Sequence, residues 1–390
     1  MSKMMTGLDV VREEGLGSFR GARVGLVMNQ ASVDSRFRSA ADVVAGSGGL
    51  RLRALFGPQH GIFGQTQDNM VEWEGFDDAG TGVPVHSLYG AVRKPTVEML
   101  EGLDAVMVDL QDVGTRVYTF ASTLFLVMEA CAEKGIGVVV LDRPNPIGGV
   151  AVEGNVLEEG FRSFVGMMRI PMRHGMTMGE LALMYRETAG LACHAEVVKM
   201  RGWRREWCCD ETGLPWVMPS PNMPTVETAA VYPGAVLFEG TNVSEGRGTT
   251  KPFELIGAPW IDGGVLAGAL NAAGMGGVYF REARFEPTFG KCKGLLCGGI
   301  QAHVTDRREF KPYRTGLAVL REIMRRWRDV FEWKEPPYEY ERERMPIDII
   351  AGTDAVRLAL ESDRGIGEIE EDGGAAMREF MELRRRFLLY

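Results

Sequence analysis

Six carboxylates fall in or beside loops punctuated by glycine and proline: Asp109, Asp112, Asp142, Glu153, Glu239 and Glu245. Glycoside cleavage needs an acid to protonate the leaving oxygen, and usually a second group to supply or position the nucleophile. Carboxylates that share a cleft are the residue types such a reaction requires. Spacing along the chain does not show which pair converges. An aspartate at a strand end also often caps the next helix or pairs with an arginine.

Other chemistries find less support. The histidines are His60, His86, His174, His194 and His303, with no HxxxH or HExxH pair, so no zinc or other metal is expected. His60 stands apart because it lies in a Pro58-Gln59-His60-Gly61 loop at an expected strand end. No GxSxG elbow marks a nucleophilic serine. The loop after the first expected strand lacks the GxGxxG fingerprint. The stretch 246–251 has residue types suited to a phosphate cradle but fails the Walker spacing. A phosphosugar or nucleotide-sugar enzyme is therefore a weaker reading, and no cofactor is expected.

The elements that must position these residues follow from periodicity. Short apolar runs at 23–29, 50–56, 84–88, 104–109 and 137–142 read as strands. The segment 119–134 reads as a helix stopped by Gly135. Alternating strand and helix implies an α/β fold: a doubly wound, mostly parallel, Rossmann-like sheet over residues 1–150. Ligands of such sheets bind beyond the carboxyl ends of the strands. Here those ends carry Asn29, the 57–61 loop with Gln59 and His60, the 109–116 stretch, and Asp142 with Arg143. A shared crevice is the expectation, completed by the polar, glycine-rich stretch 237–253.

Residues 151–390 are expected to form a loop-rich segment and a smaller α+β domain, with the site in the cleft between. Thr177 and Glu180 form a capping box for a helix reaching about Thr188. Four prolines between Pro215 and Pro224 exclude a regular element, and long ordered loops are usually functional. Strands are expected at Val278–Phe285 and 300–305. A helix follows, with Leu317, Leu320, Ile323, Met324, Trp327 and Phe331 on one stripe.

Bulk properties narrow the partners. A net charge of -9 over 390 residues disfavours nucleic acid. No run is long and apolar enough for a membrane span, and the N-terminus does not read as a signal peptide, so a cytoplasmic location is expected. The six cysteines, two of them adjacent at Cys208 and Cys209, read as free thiols. Nothing bears on oligomeric state.

A set of motifs then narrows the reading. These are Tyr89 with 94–96, the stretch 109–119, Leu141-Asp142-Arg143-Pro144-Asn145-Pro146, 173–175, 219–224, 238–252, 259–262 and 351–354. In this order they resemble the exo-β-N-acetylmuramidase family, long catalogued only as a bacterial domain of unknown function. The likeness runs from Gly7 to about residue 355. It implies a Rossmann-like domain joined to a smaller α+β domain, and release of terminal N-acetylmuramic acid from peptidoglycan fragments. A muramic-acid-containing sugar or muropeptide is then the expected partner.

Where many members carry Pro-Glu-His-Gly, this chain has Gln59, and an amide cannot act as a general acid. The expected acid is therefore Glu239 or Glu245, with His60 and Tyr118 orienting groups at the cleaved bond. Arg116, Arg143 or Arg247 would pair the lactyl carboxylate. Asn29, Asp109, Asp142, Asn222 and Asn242 complete the expected sugar contacts. The alternative is a sugar-binding protein that kept the cleft and lost its catalytic acid.

Overall fold

The computed structural model of the chain describes residues 4–68 and 70–390. The chain builds one large sheet from β1 (Arg23–Met28), β2 (Arg51–Gly57), β3 (Phe76–Asp77), β4 (Pro84–Ser87), β5 (Ala105–Asp109) and β6 (Gly137–Leu141). An antiparallel pair, β7 (Glu153–Val156) with β8 (Pro171–Arg173), interrupts it before β9 (Ala195–Val198) adds the far edge. The sheet order is β3-β4-β2-β1-β5-β6-β9. Every pairing is parallel except that of β3 with β4.

β5 and β6 are buried at every position, as expected of strands covered by helices on both faces. The helix Phe120–Lys134 crosses from β5 to β6 and ends at Gly135, whose φ of 73° needs a residue without Cβ strain. The helix Met178–Thr188 leads into β9 and opens on the Thr177–Glu180 capping box. These local signals were legible. β3 and β9 were not, since one has two residues and the other breaks its apolar run with Glu196. Because β9 pairs with β6, the first sheet extends past residue 150, where the sequence reading ended it. The pair β7–β8 is an insertion that hides the last strand–helix repeat.

The second sheet is antiparallel: β10 (Leu255–Ala258), β11 (Val278–Phe285) and β12 (Cys297–Val304), in the order β10-β12-β11. The helix Pro312–Arg326 buries Leu317, Leu320 and Ile323, while Trp327 caps it and Phe331 lies beyond its end. This helix crosses the helix Val226–Ala235 at Gly316 and Gly234. A Cβ on either would overlap the carbonyl oxygen of Gly234 or Pro312, so the two backbones touch. That crossing fixes where the chain re-emerges at the short 3-10 turn Val236–Gly240. One hydrophobic core joins both parts, including Val106 and Phe125 as well as Ile256, Ile300 and Leu320.

Candidate active site

Gln59 and His60 leave β2 on a turn in which His60 has φ 71° and Gly61 φ 84°. The buried Gln59 amide is oriented by its partners. Its Oε1 accepts from Thr119 Oγ1 at 2.7 Å, so its Nε2 must be the donor to Tyr89 Oη at 3.0 Å and Glu339 Oε1 at 3.1 Å. His60 Nδ1 lies 2.7 Å from the Thr66 carbonyl and therefore carries the proton. Burial, opposed by that hydrogen bond and aided by the charge of Arg247, pushes His60 down to about 4, so the ring is neutral.

Three segments face this turn. The first follows β5 and brings Val117, Tyr118 and Thr119. The second is the proline-rich stretch, which brings Ser220, Asn222 and Met223 as its lack of regular structure promised. Asn222 Nδ2 donates to the Gln67 carbonyl at 2.8 Å. The third segment, C-terminal, supplies Tyr232, Glu239, Arg247, Phe253, Tyr338 and Glu339. Tyr232 stands edge-on to both Tyr118 and Phe253, forming an aromatic wall. Together these residues line a small pocket of about 30 Å³.

Its electrostatics divide two carboxyl groups. Glu239 accepts from Arg247 Nη2 at 2.7 Å and from Tyr338 Oη at 2.6 Å. Burial alone would raise Glu239, but the Arg247 charge and these two bonds hold it below the ordinary range. Glu339 shows the opposite balance. Burial and the nearby Glu239 charge raise it, and hydrogen bonds from Tyr89 (2.8 Å) and Gln59 only partly oppose them. Arg247 keeps its Nη1 without a hydrogen-bond partner among the described residues.

The arrangement brings together six of the residues singled out from sequence: Gln59, His60, Tyr118, Asn222, Glu239 and Arg247. Seven others serve the scaffold. Glu245 does not line the cavity; it pairs with Lys291 Nζ at 2.6 Å and lies 3.5 Å from Arg247 Nε. Asn29 donates to the Pro219 carbonyl at 2.7 Å and so pins the proline-rich loop. Asp109 and Arg143 satisfy each other through two bonds at 2.5 and 2.8 Å.

Asp142 accepts from Thr177 Oγ1, the Gly179 amide and Tyr390 Oη at 2.7–2.8 Å, anchoring the helix Met178–Thr188. Burial nonetheless pushes it up to about 6. Arg116 donates to the carbonyls of Asn155, Ile170 and Ile350, and Asn242 to that of Val330. For Arg116 and Arg143, already committed to these partners, the expected lactyl contact is withdrawn. The four-strand-end crevice thus narrows to the loops after β2 and β5.

Glu339 escaped the sequence reading altogether. It follows the Pro336-Pro337 pair in a loop rich in tyrosine and glutamate, away from any strand end. A proline pair followed by carboxylates was the available signal. A larger cavity, about 660 Å³, lies elsewhere and holds none of these site residues. Two of its ionisable groups are paired, Tyr185 with Glu129 and Arg162 with Glu159. Among the described residues no group of three His, Cys, Asp or Glu is placed to hold a metal ion.

Comparison with known families matches residues 24–227 to the N-terminal model of the exo-β-N-acetylmuramidase NamZ and residues 230–390 to its C-terminal model. The chain belongs to the NamZ family. It is 44% identical over 388 residues to the peptidoglycan β-N-acetylmuramidase NamZ of Bacillus subtilis (strain 168), covering 100% of this chain and 92% of that one. Two solved DUF1343 family proteins from Bacteroides fragilis NCTC 9343 share its fold. One has a TM-score of 0.89 at 34% identity, with full coverage of both chains. The other has a TM-score of 0.79 at 28% identity, covering 100% of this chain and 99% of that one. The two NamZ models meet near residue 228, so the cavity draws Gln59, His60 and Tyr118 from one half and Glu239, Arg247 and Glu339 from the other.

Proposed function

We propose that this NamZ family chain is a glycosidase releasing terminal N-acetylmuramic acid from peptidoglycan fragments. The observation that carries the reading is Arg247: buried, lining the cavity, with one face bound to Glu239 and Nη1 still unbonded among the described residues. A buried guanidinium with a spare N–H is a recognition point for a carboxylate, and muramic acid differs from glucosamine by its lactyl carboxylate. The name of the B. subtilis relative supports the same substrate.

Ionised Glu239 can face the positive charge that develops at the anomeric carbon. Tyr118, Asn222 and neutral His60 position the ring. Six unpaired thiols fit a reducing compartment and support work on wall fragments recovered in the cytosol. The test is mass spectrometry of muropeptide disaccharides ending in muramic acid. Free N-acetylmuramic acid is expected. Tight binding with no cleavage would leave a sugar-binding protein instead.

A further inference from the structure

We propose that Glu339 is the catalytic acid of this site, presented to the glycosidic oxygen from the turn that bonds it to Gln59 and Tyr89; the proposal rests on the glycosidase reading above. Three independent observations converge on it. First, the other two candidate carboxylates are committed to ion pairs: Glu239 with Arg247, and Glu245 with Lys291 and Arg247. Glu339 lines the cavity and has no ion pair among the described residues.

Second, the wiring around it is fixed and neutral. Thr119 holds the Gln59 oxygen, so the amide can only donate toward Glu339 Oε1 and Tyr89 Oη. Tyr89 in turn donates to Glu339 Oε2. Neither the amide nor a buried phenol is a useful proton donor near neutral pH. The Glu339 carboxyl is the one group in this cluster that exchanges a proton readily.

Third, the backbone is strained to aim it. Glu339 and Tyr340 have φ of 44° and 73°, a conformation unusual for non-glycine residues. Reciprocal backbone bonds between Tyr338 and Glu341 hold the turn. The Arg93 guanidinium sits 3.0 Å above the Tyr340 ring centroid and secures its far side. His60 and Phe253, also at positive φ, line the same cavity.

Burial raises Glu339, Tyr89 and Gln59 pull it down, Glu239 raises it further and Arg247 opposes; Tyr232 and Tyr338 stay neutral around it. The balance shifts Glu339 toward the acid form and Glu239 away from it, the direction of difference that acid-assisted glycoside cleavage uses. In the step, the anomeric C–O bond breaks and the Glu339 proton goes to the departing oxygen. A water oxygen forms the new bond to the anomeric carbon, and the water's proton restores the carboxyl. One water is consumed and no other reactant is needed.

The test compares two substrates: a muropeptide disaccharide, whose alcohol leaving group needs the proton, and the 4-nitrophenyl glycoside of N-acetylmuramic acid, whose leaving group does not. Glu339→Gln should cut kcat/KM on the disaccharide by about 10² to 10⁴ and on the aryl glycoside by less than about tenfold. Equal losses on both, or none on either, overturn the assignment. Should that variant not fold, Tyr89→Phe decides. Losing the Tyr89 donor raises Glu339, so the alkaline limb of the wild-type pH profile must move to higher pH, and an unmoved limb overturns the proposal. A wild type that cleaves neither substrate overturns the glycosidase reading itself, and the acid assignment with it.

Discussion

Arg247→Ala tests the charge arrangement of the site through stability. Arg247 lies 2.7 Å from Glu239 and 3.5 Å from Glu245, and removing it takes away the paired charge of the buried Glu239 carboxylate while leaving its Tyr338 hydrogen bond. Breaking such a pair costs roughly 3–5 kcal/mol. Glu239 has an escape, which is to take up a proton. Protonating a carboxyl of ordinary pKa costs about 4.4 kcal/mol at pH 7.5 but only about 1.6 kcal/mol at pH 5.5. The variant should therefore be destabilised by about 3–5 kcal/mol at pH 7.5 and by about 1–2 kcal/mol at pH 5.5.

The sign follows from the two folded states. In the wild type Glu239 is depressed, so its contribution is present above the unfolded pKa and lost as pH falls through the folded value. In the variant it is raised, so stability is lost as pH rises. Urea midpoints read by tryptophan fluorescence at both pH values measure the difference. The same destabilisation at both would refute the claim that Arg247 keeps Glu239 ionised. In ligand binding, the variant should lose about 10- to 150-fold for muramic acid, corresponding to a charged hydrogen bond of about 1.5–3 kcal/mol, and little for N-acetylglucosamine.

Three further outcomes follow from the geometry. Arg116→Met strips donors from three buried carbonyls and should cost at least about 3 kcal/mol; an unchanged melting temperature with a raised KM would return Arg116 to a ligand role. Gly316→Ala drives a methyl into the Gly234 backbone and should cost about 1–3 kcal/mol or more, lowering Tm and displacing Glu239; an unaltered Tm contradicts the helix contact. Activity should fall on the acid side as Glu239 gains a proton and on the alkaline side as Glu339 loses one, and a pH profile lacking either limb contradicts that pairing.

What sequence reasoning could see was local. The capping box at Thr177 and the glycine stop at Gly135 each depend on residues a few positions apart, and both stand where the pattern placed them. The loops after β2 and β5 were located by the rule that parallel strands open toward ligands, and they do reach the cavity. Asp109, Asp142 and Arg143 obeyed the same rule yet are satisfied by one another, by Thr177 and by Tyr390, partners far away in the chain. Glu339 is the converse case. Its contact with Gln59 spans 280 positions and depends on a left-handed backbone that no periodicity announces.

The small volume of this pocket has a kinetic consequence. At about 30 Å³ it holds little more than a water molecule, far less than a sugar ring. Gln67 bonds to Asn222, Met70 Sδ accepts from the Glu339 amide, and Tyr340 Oη reaches Glu72, so three contacts join the segment after β2 to the walls opposite. Widening the pocket to admit a ring is expected to strain this seam. The apparent affinity is then the intrinsic one scaled by the fraction of molecules standing open. Because segments of this size move through solvent, kcat/KM should decline as sucrose thickens the buffer. Weakening the seam at Glu72, whose carboxylate accepts from Tyr340 Oη, should tighten apparent binding of the sugar while leaving more water beside the reacting carbon.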